Sequence, residues 1–70
     1  MEMSARNQLK GTVKSIKHGD IVGEVVIELP DGQQITSIIT EDAIKSLRLQ
    51  EGNQVTAIIK STEVMVARNG

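Results

Sequence analysis

The sequence predicts an all-β domain that carries one short helix. Apolar residues recur with period 2 along most of the chain, the pattern of strands whose alternate side chains face a core. Turn-forming residues gather at His18-Gly19-Asp20, at Pro30-Asp31-Gly32 and at Gly52, where the chain must reverse. Helical spacing shows in one segment, through Ala43, Ile44 and Leu47.

Leu9 to Lys17 is the first predicted strand, with Leu9, Val13 and Ile16 as its apolar points. The second runs from Ile21 to Leu29. Ile21, Val25, Ile27 and Leu29 share one of its faces, while Val22 and Val26 lie on the other with Glu24 and Glu28. Gln34 to Ile39 is the third. Thr40 then stands where an N-cap belongs, ahead of a short helix from Asp42 to Leu47. In the fourth strand, Gln54 to Lys60, Val55, Ala57 and Ile59 alternate against Thr56, Ile58 and Lys60. Glu63 to Ala67 is a short fifth. This order is that of a small OB-like five-stranded antiparallel barrel. The whole chain, 1–70, is read as a single domain, since its 70 residues suffice for one core.

Composition argues that this domain does not stand alone. It has no Phe, Tyr, Trp or Cys, so the core must come from Val, Ile, Leu, Ala and three Met, with no disulfide to staple it. A chain this short buries only about 60% of its unfolded surface. Association with further copies is the natural source of the missing burial. Apolar residues on the second strand faces, such as Val22 and Ile58, fit a surface covered by another protein; the alternative is that they are scattered exposed apolar residues, which are common.

The net charge of −1 provides no field to attract nucleic acid or an anionic membrane. A single-strand binder of this fold stacks bases on aromatics, and there are none. No apolar run approaches the ~20 residues needed to cross a bilayer, and the first eight residues do not form a signal peptide. The chain is therefore expected in the cytoplasm, without a nucleic-acid or membrane partner. Catalysis is equally unsupported. His18 is the one histidine and sits beside a turn, where it is most simply a solvated residue. No cluster has the spacing of metal ligands. Neither enzymatic activity, nor a cofactor, nor a bound metal cation is expected.

Three segments rich in hydrogen-bond donors remain. At Thr40-Glu41-Asp42-Ala43 a helix start presents unpaired N–H groups. The small side chain of Ala43 leaves its N–H approachable where a capping-box Glu or Gln would close it off. Glu41 and Asp42 disfavour an anion there unless their side chains point away, and an ordinary Thr cap explains the segment as well. Lys60-Ser61-Thr62 offers a cation and two hydroxyls at a strand exit, or simply a solvated strand end. Ser4-Ala5-Arg6-Asn7 is open to the same two readings.

Together and in this order, the segments resemble the molbindin (Mop) family, molybdate-binding modules related to TOBE domains. The likeness is carried by Ser4-Ala5-Arg6-Asn7-Gln8-Leu9-Lys10-Gly11, by Ile38-Ile39-Thr40, by Leu47 to Leu49 with Glu51-Gly52, and by Val55 to Thr62 with Val64-Met65. It implies a hexamer built as a trimer of dimers, with oxyanions held between subunits. Thr40, Ala43 (through its backbone N–H), Lys60 and Ser61 would line one side of each site, and Ser4 and Arg6 would arrive from a neighbouring subunit. A second class of site near the threefold axis is placed at His18, Gly19 and Asp20. The implied role is storage of molybdate or tungstate in molybdenum homeostasis; the alternative is a ligand-free interaction module of the same fold. Molybdate is a dianion without a proton to donate, so a site of N–H and O–H donors suits it. At about 1.5–3 kcal/mol per charge-assisted bond, four or five such bonds suffice for micromolar affinity.

Overall fold

The computed structural model describes residues 4–70. Its elements are β1 (Asn7–Lys17), β2 (Val22–Glu28), β3 (Gln34–Thr40), α1 (Glu41–Ser46) and β4 (Gln54–Ile59), followed by one 3-10 turn at Ser61–Glu63. The strands form a single antiparallel sheet in the order β3-β2-β1-β4. The reading of one domain over 1–70 includes residues 1–3, which lie outside the described residues.

The long strand β1 bulges between Val13 and Ser15, opposite Ile27 and Val26 of β2. One extra residue on one strand shifts its alternation by one. That shift lets Val13 and Ile16 both face inward although they stand three residues apart, whereas Leu9 stays 40% exposed. Val13, Val25, Ile27, Ile44 and Ala57 form the buried core, and Ile16, Ile35, Ile39, Leu49 and Val55 pack around it. The sheet curls into a half-barrel whose open side, between the unpaired edges of β3 and β4, is an apolar trough of about 330 Å³.

Short α1 needs firm ends. Thr40 caps its start, and at its close Leu49 N–H reaches Ile44 O at 3.1 Å while Arg48 N–H reaches Lys45 O at 3.0 Å. These two bonds make a Schellman motif. Arg48 takes the left-handed position, with φ 52°, that glycine usually fills there.

Three sequence expectations need correction. Glu63 to Ala67 forms no strand with the described residues. The 3-10 turn after β4 steers the chain off the free sheet edge, so it runs on as an exposed tail without a ladder to join. Ile21 lies in the turn before β2, 78% exposed, rather than on the inner face with Val25. Methionine adds nothing to the described core: Met65 is 95% exposed, and the other two methionines, Met1 and Met3, lie among the first three residues.

The chain also exposes much surface for its size. Its accessible area is 5875 Å², about 1,600 Å² more than the roughly 4,300 Å² of a compact monomer of this mass. The Cα radius of gyration is 13.0 Å, against about 11 Å for a compact domain of this length.

Candidate functional site

Asn7 pairs with Ile59 at the start of β1 and the end of β4. The arm before β1 and the turn after β4 therefore leave the sheet side by side. Ser4, Ala5, Arg6, Ile58, Lys60, Ser61 and Thr62 line an open depression of about 400 Å³ between them. It presents two cations and three hydroxyls, and no carboxylate is in its lining. Lys60 begins the 3-10 turn without spending its side chain on a cap bond. Such a surface donates hydrogen bonds and accepts few, which suits a small anion.

The other expected residues lie at the opposite end of β1. Val22 pairs with Thr40, and Lys17 with Glu24, so the end of β3, the start of α1 and the β1–β2 turn meet there. Exposed Thr40 accepts a bond on Oγ1 from Ala43 N–H at 3.1 Å. The approachable N–H expected at Ala43 is thus already directed at the cap hydroxyl, as in an ordinary Thr cap. A hydroxyl that accepts one bond still has its own proton to donate.

Glu41, beside Thr40, turns the other way. Its carboxylate is buried, 8% exposed, and accepts from Gly19 N–H at 2.9 Å and from His18 Nδ1 at 2.9 Å. An ionised carboxylate only accepts, so Nδ1 carries the proton in this pair. These bonds hold the Glu41 pKa below its ordinary value of 4.5, the His18 bond contributing most and the Gly19 N–H next, with burial opposing. His18 is therefore not simply solvated. Its partner is separated by 23 positions in sequence, and no local pattern pointed to it. Asp20 and Asp42 are exposed.

The six residues expected around one oxyanion thus fall into two groups. Ser4, Arg6, Lys60 and Ser61 come together at one end of β1; Thr40 and Ala43 lie at the other. The ten steps from Asn7 to Lys17 span on the order of 30 Å along the strand. Among the described residues, no group of three or more His, Cys, Asp or Glu could hold a metal ion, and no helix is long and apolar enough to cross a membrane.

The half-barrel with donor-rich ends places the chain among small OB-like binding modules. The TOBE domain family matches residues 3–66. Molybdenum-pterin-binding protein 3 of Clostridium pasteurianum is 52% identical over 66 residues, covering 94% of this chain and 97% of that protein. A solved structure of a molybdate-binding protein from Sporomusa ovata superposes with a TM-score of 0.92 at 37% identity, covering 97% of this chain and all of the other. The cytoplasmic molybdate-binding protein ModG, solved with molybdate bound, gives a TM-score of 0.90 at 42% identity, with 93% of this chain covering 46% of ModG. The chain belongs to the TOBE-related molbindin (Mop) family.

Proposed function

We propose that this chain is a non-catalytic, cytoplasmic binder of molybdate or tungstate that serves molybdenum homeostasis, and that each oxyanion sits where two copies meet. The observation that carries this reading is the division of donors between the two ends of β1. A tetrahedral ion a few ångströms across reaches both groups only if a second chain supplies one of them. In this arrangement Ser4, Arg6, Lys60 and Ser61 of one copy face Thr40 and Ala43 of another. This divides the donors differently from the resemblance, because the arm bearing Ser4 and Arg6 lies beside Lys60 of its own chain. The Thr40 hydroxyl donates to the anion, and the Ala43 N–H behind it fixes its direction. His18 and Gly19 already direct donors at Glu41, which leaves a second oxyanion site at that turn with little to offer.

Assembly has support of its own. The trough between β3 and β4 is open and apolar, and the tail carries Val64, Met65 and Val66 into solvent at 50%, 95% and 92% exposure. A strand edge facing an unpaired extended segment of another copy invites pairing. The missing fifth strand of the barrel is then residues 63–67 of a second copy, and a trimer of dimers repeats that contact. The excess surface of about 1,600 Å² on one chain is about twice the roughly 800 Å² that each partner contributes to a standard interface.

The Clostridium relative's name couples molybdenum to a pterin. With no Phe, Tyr or Trp to stack on a pterin ring, the donor set favours the bare oxyanion. Calorimetry with molybdate, sulfate as competitor and a parallel mass measurement tests the proposal. Wild type should bind saturably as an oligomer, and Lys60→Ala, which loses a charge-assisted bond, should bind about tenfold or more weakly. A monomer indifferent to both ions, or undiminished binding by Lys60→Ala, would refute it.

A further inference from the structure

Glu41 is the buried acid among the described residues, and it is held at three points. Its backbone N–H donates to Ile21 O at 2.8 Å. Its carboxylate accepts from Gly19 N–H and from His18 Nδ1, each at 2.9 Å. Gly23 makes room for it, because a Cβ there would stand 2.6 Å from Glu41 Oε2. Thr40 closes β3 as the helix cap and Glu41 opens α1, and the chain's change of direction there sends their side chains apart. Thr40 points out and Glu41 points in.

From this arrangement we infer that Glu41 is a positioning residue for oxyanion binding: by locking the start of α1 onto the β1–β2 turn, it holds the Thr40 hydroxyl, and the Ala43 N–H that orients it, in the pose that faces the anion. The inference rests on the reading that Thr40 and Ala43 face the anion. α1 spans six residues, too few to hold its own orientation in water. A freely pivoting first turn would carry the Thr40 hydroxyl with it. Ile44 seats the body of the helix in the core; the clamp fixes its first turn and also aims the acid's charge at His18 and Gly19, away from the anion's side of the chain.

The test is molybdate calorimetry on full-length wild type, Glu41→Ala, Glu41→Gln and Lys60→Ala, far below each protein's melting temperature. Glu41→Ala should weaken binding on the order of tenfold, as loss of an orienting outer group does elsewhere. Glu41→Gln keeps the shape and an acceptor for Gly19 N–H, and should recover most of that loss. Wild-type affinity in Glu41→Ala with a lowered melting temperature would make the residue merely structural and overturn the inference. If Glu41→Ala does not fold, His18→Ala removes one largely exposed clamp group, and about threefold weaker binding is expected from one lost hydrogen bond; unchanged affinity overturns the inference here too. Lys60→Ala separates the two levels. Weak binding in it beside intact binding in the clamp variants sinks the role of Glu41 alone, whereas a wild type that binds no molybdate sinks the site reading and this inference with it.

Discussion

The Glu41 side chain keeps only 10% of its surface in water, whereas that of His18 keeps 63%. A buried charge is tolerated when it is hydrogen-bonded, and here a backbone N–H and a ring N–H meet that need. The consequence is a pH dependence with a definite sign. Glu41 ionises more readily in the folded chain than its ordinary value of 4.5, so folding binds fewer protons and stability rises with pH through its titration. This contribution is complete above about pH 4.5 and is lost as the pH falls through the lowered folded value. Thermal melts from about pH 7 to about pH 3 should show wild type losing stability faster than Glu41→Gln in the acid part of the range. Parallel profiles for the two proteins would count against the clamp.

At the scale of elements, the tightest fit is between β2 and α1. Ile44 on the helix is 2% exposed, and it packs over Gly23 with the Glu41 carboxylate alongside. A methyl group at position 23 would lie 2.6 Å from Ile44 Cδ1, 2.6 Å from Glu41 Oε2 and 3.2 Å from Lys17 O. Neither the core isoleucine nor the clamped acid can yield without losing its partners. Gly23→Ala should therefore cost about 1–3 kcal/mol, the range for overpacking a core. Chemical denaturation at matched protomer concentration measures this, since oligomer stability depends on concentration. A cost near zero would mean that α1 rides loosely on the sheet.

For the molecule as a whole, the question is what completes the core. Five buried apolar residues among the described ones make a small core for this length, and one side of the half-barrel is open. Truncation after Thr62 should lower both the particle mass, read by light scattering, and the melting temperature. Retention of full mass by the truncated protein would show that the tail does not join the copies. Loss of mass with loss of molybdate binding would tie assembly to the ligand, as donors drawn from two chains require.

Period-2 alternation, turn residues and the Thr40 cap determined four strands and a helix within one or two residues of their observed ends, because each is a local property of the backbone. The bulge between Val13 and Ser15 was not read from the sequence; only the pairing of β1 with β2 showed it. Chemistry that needs only residue types was visible as well: donors at Ser4, Arg6, Thr40, Lys60 and Ser61. The tertiary structure alone decided which of these donors share a place, since pairing of β1 with β4 joins Arg6 to Lys60 across the fold. It alone brought His18 to Glu41, turning an acid that local reading set against an anion into an internal partner. It also sent residues 63–67 away from the sheet, because apolar alternation marks a segment able to pair but does not say which edge, or whose chain, it will pair with.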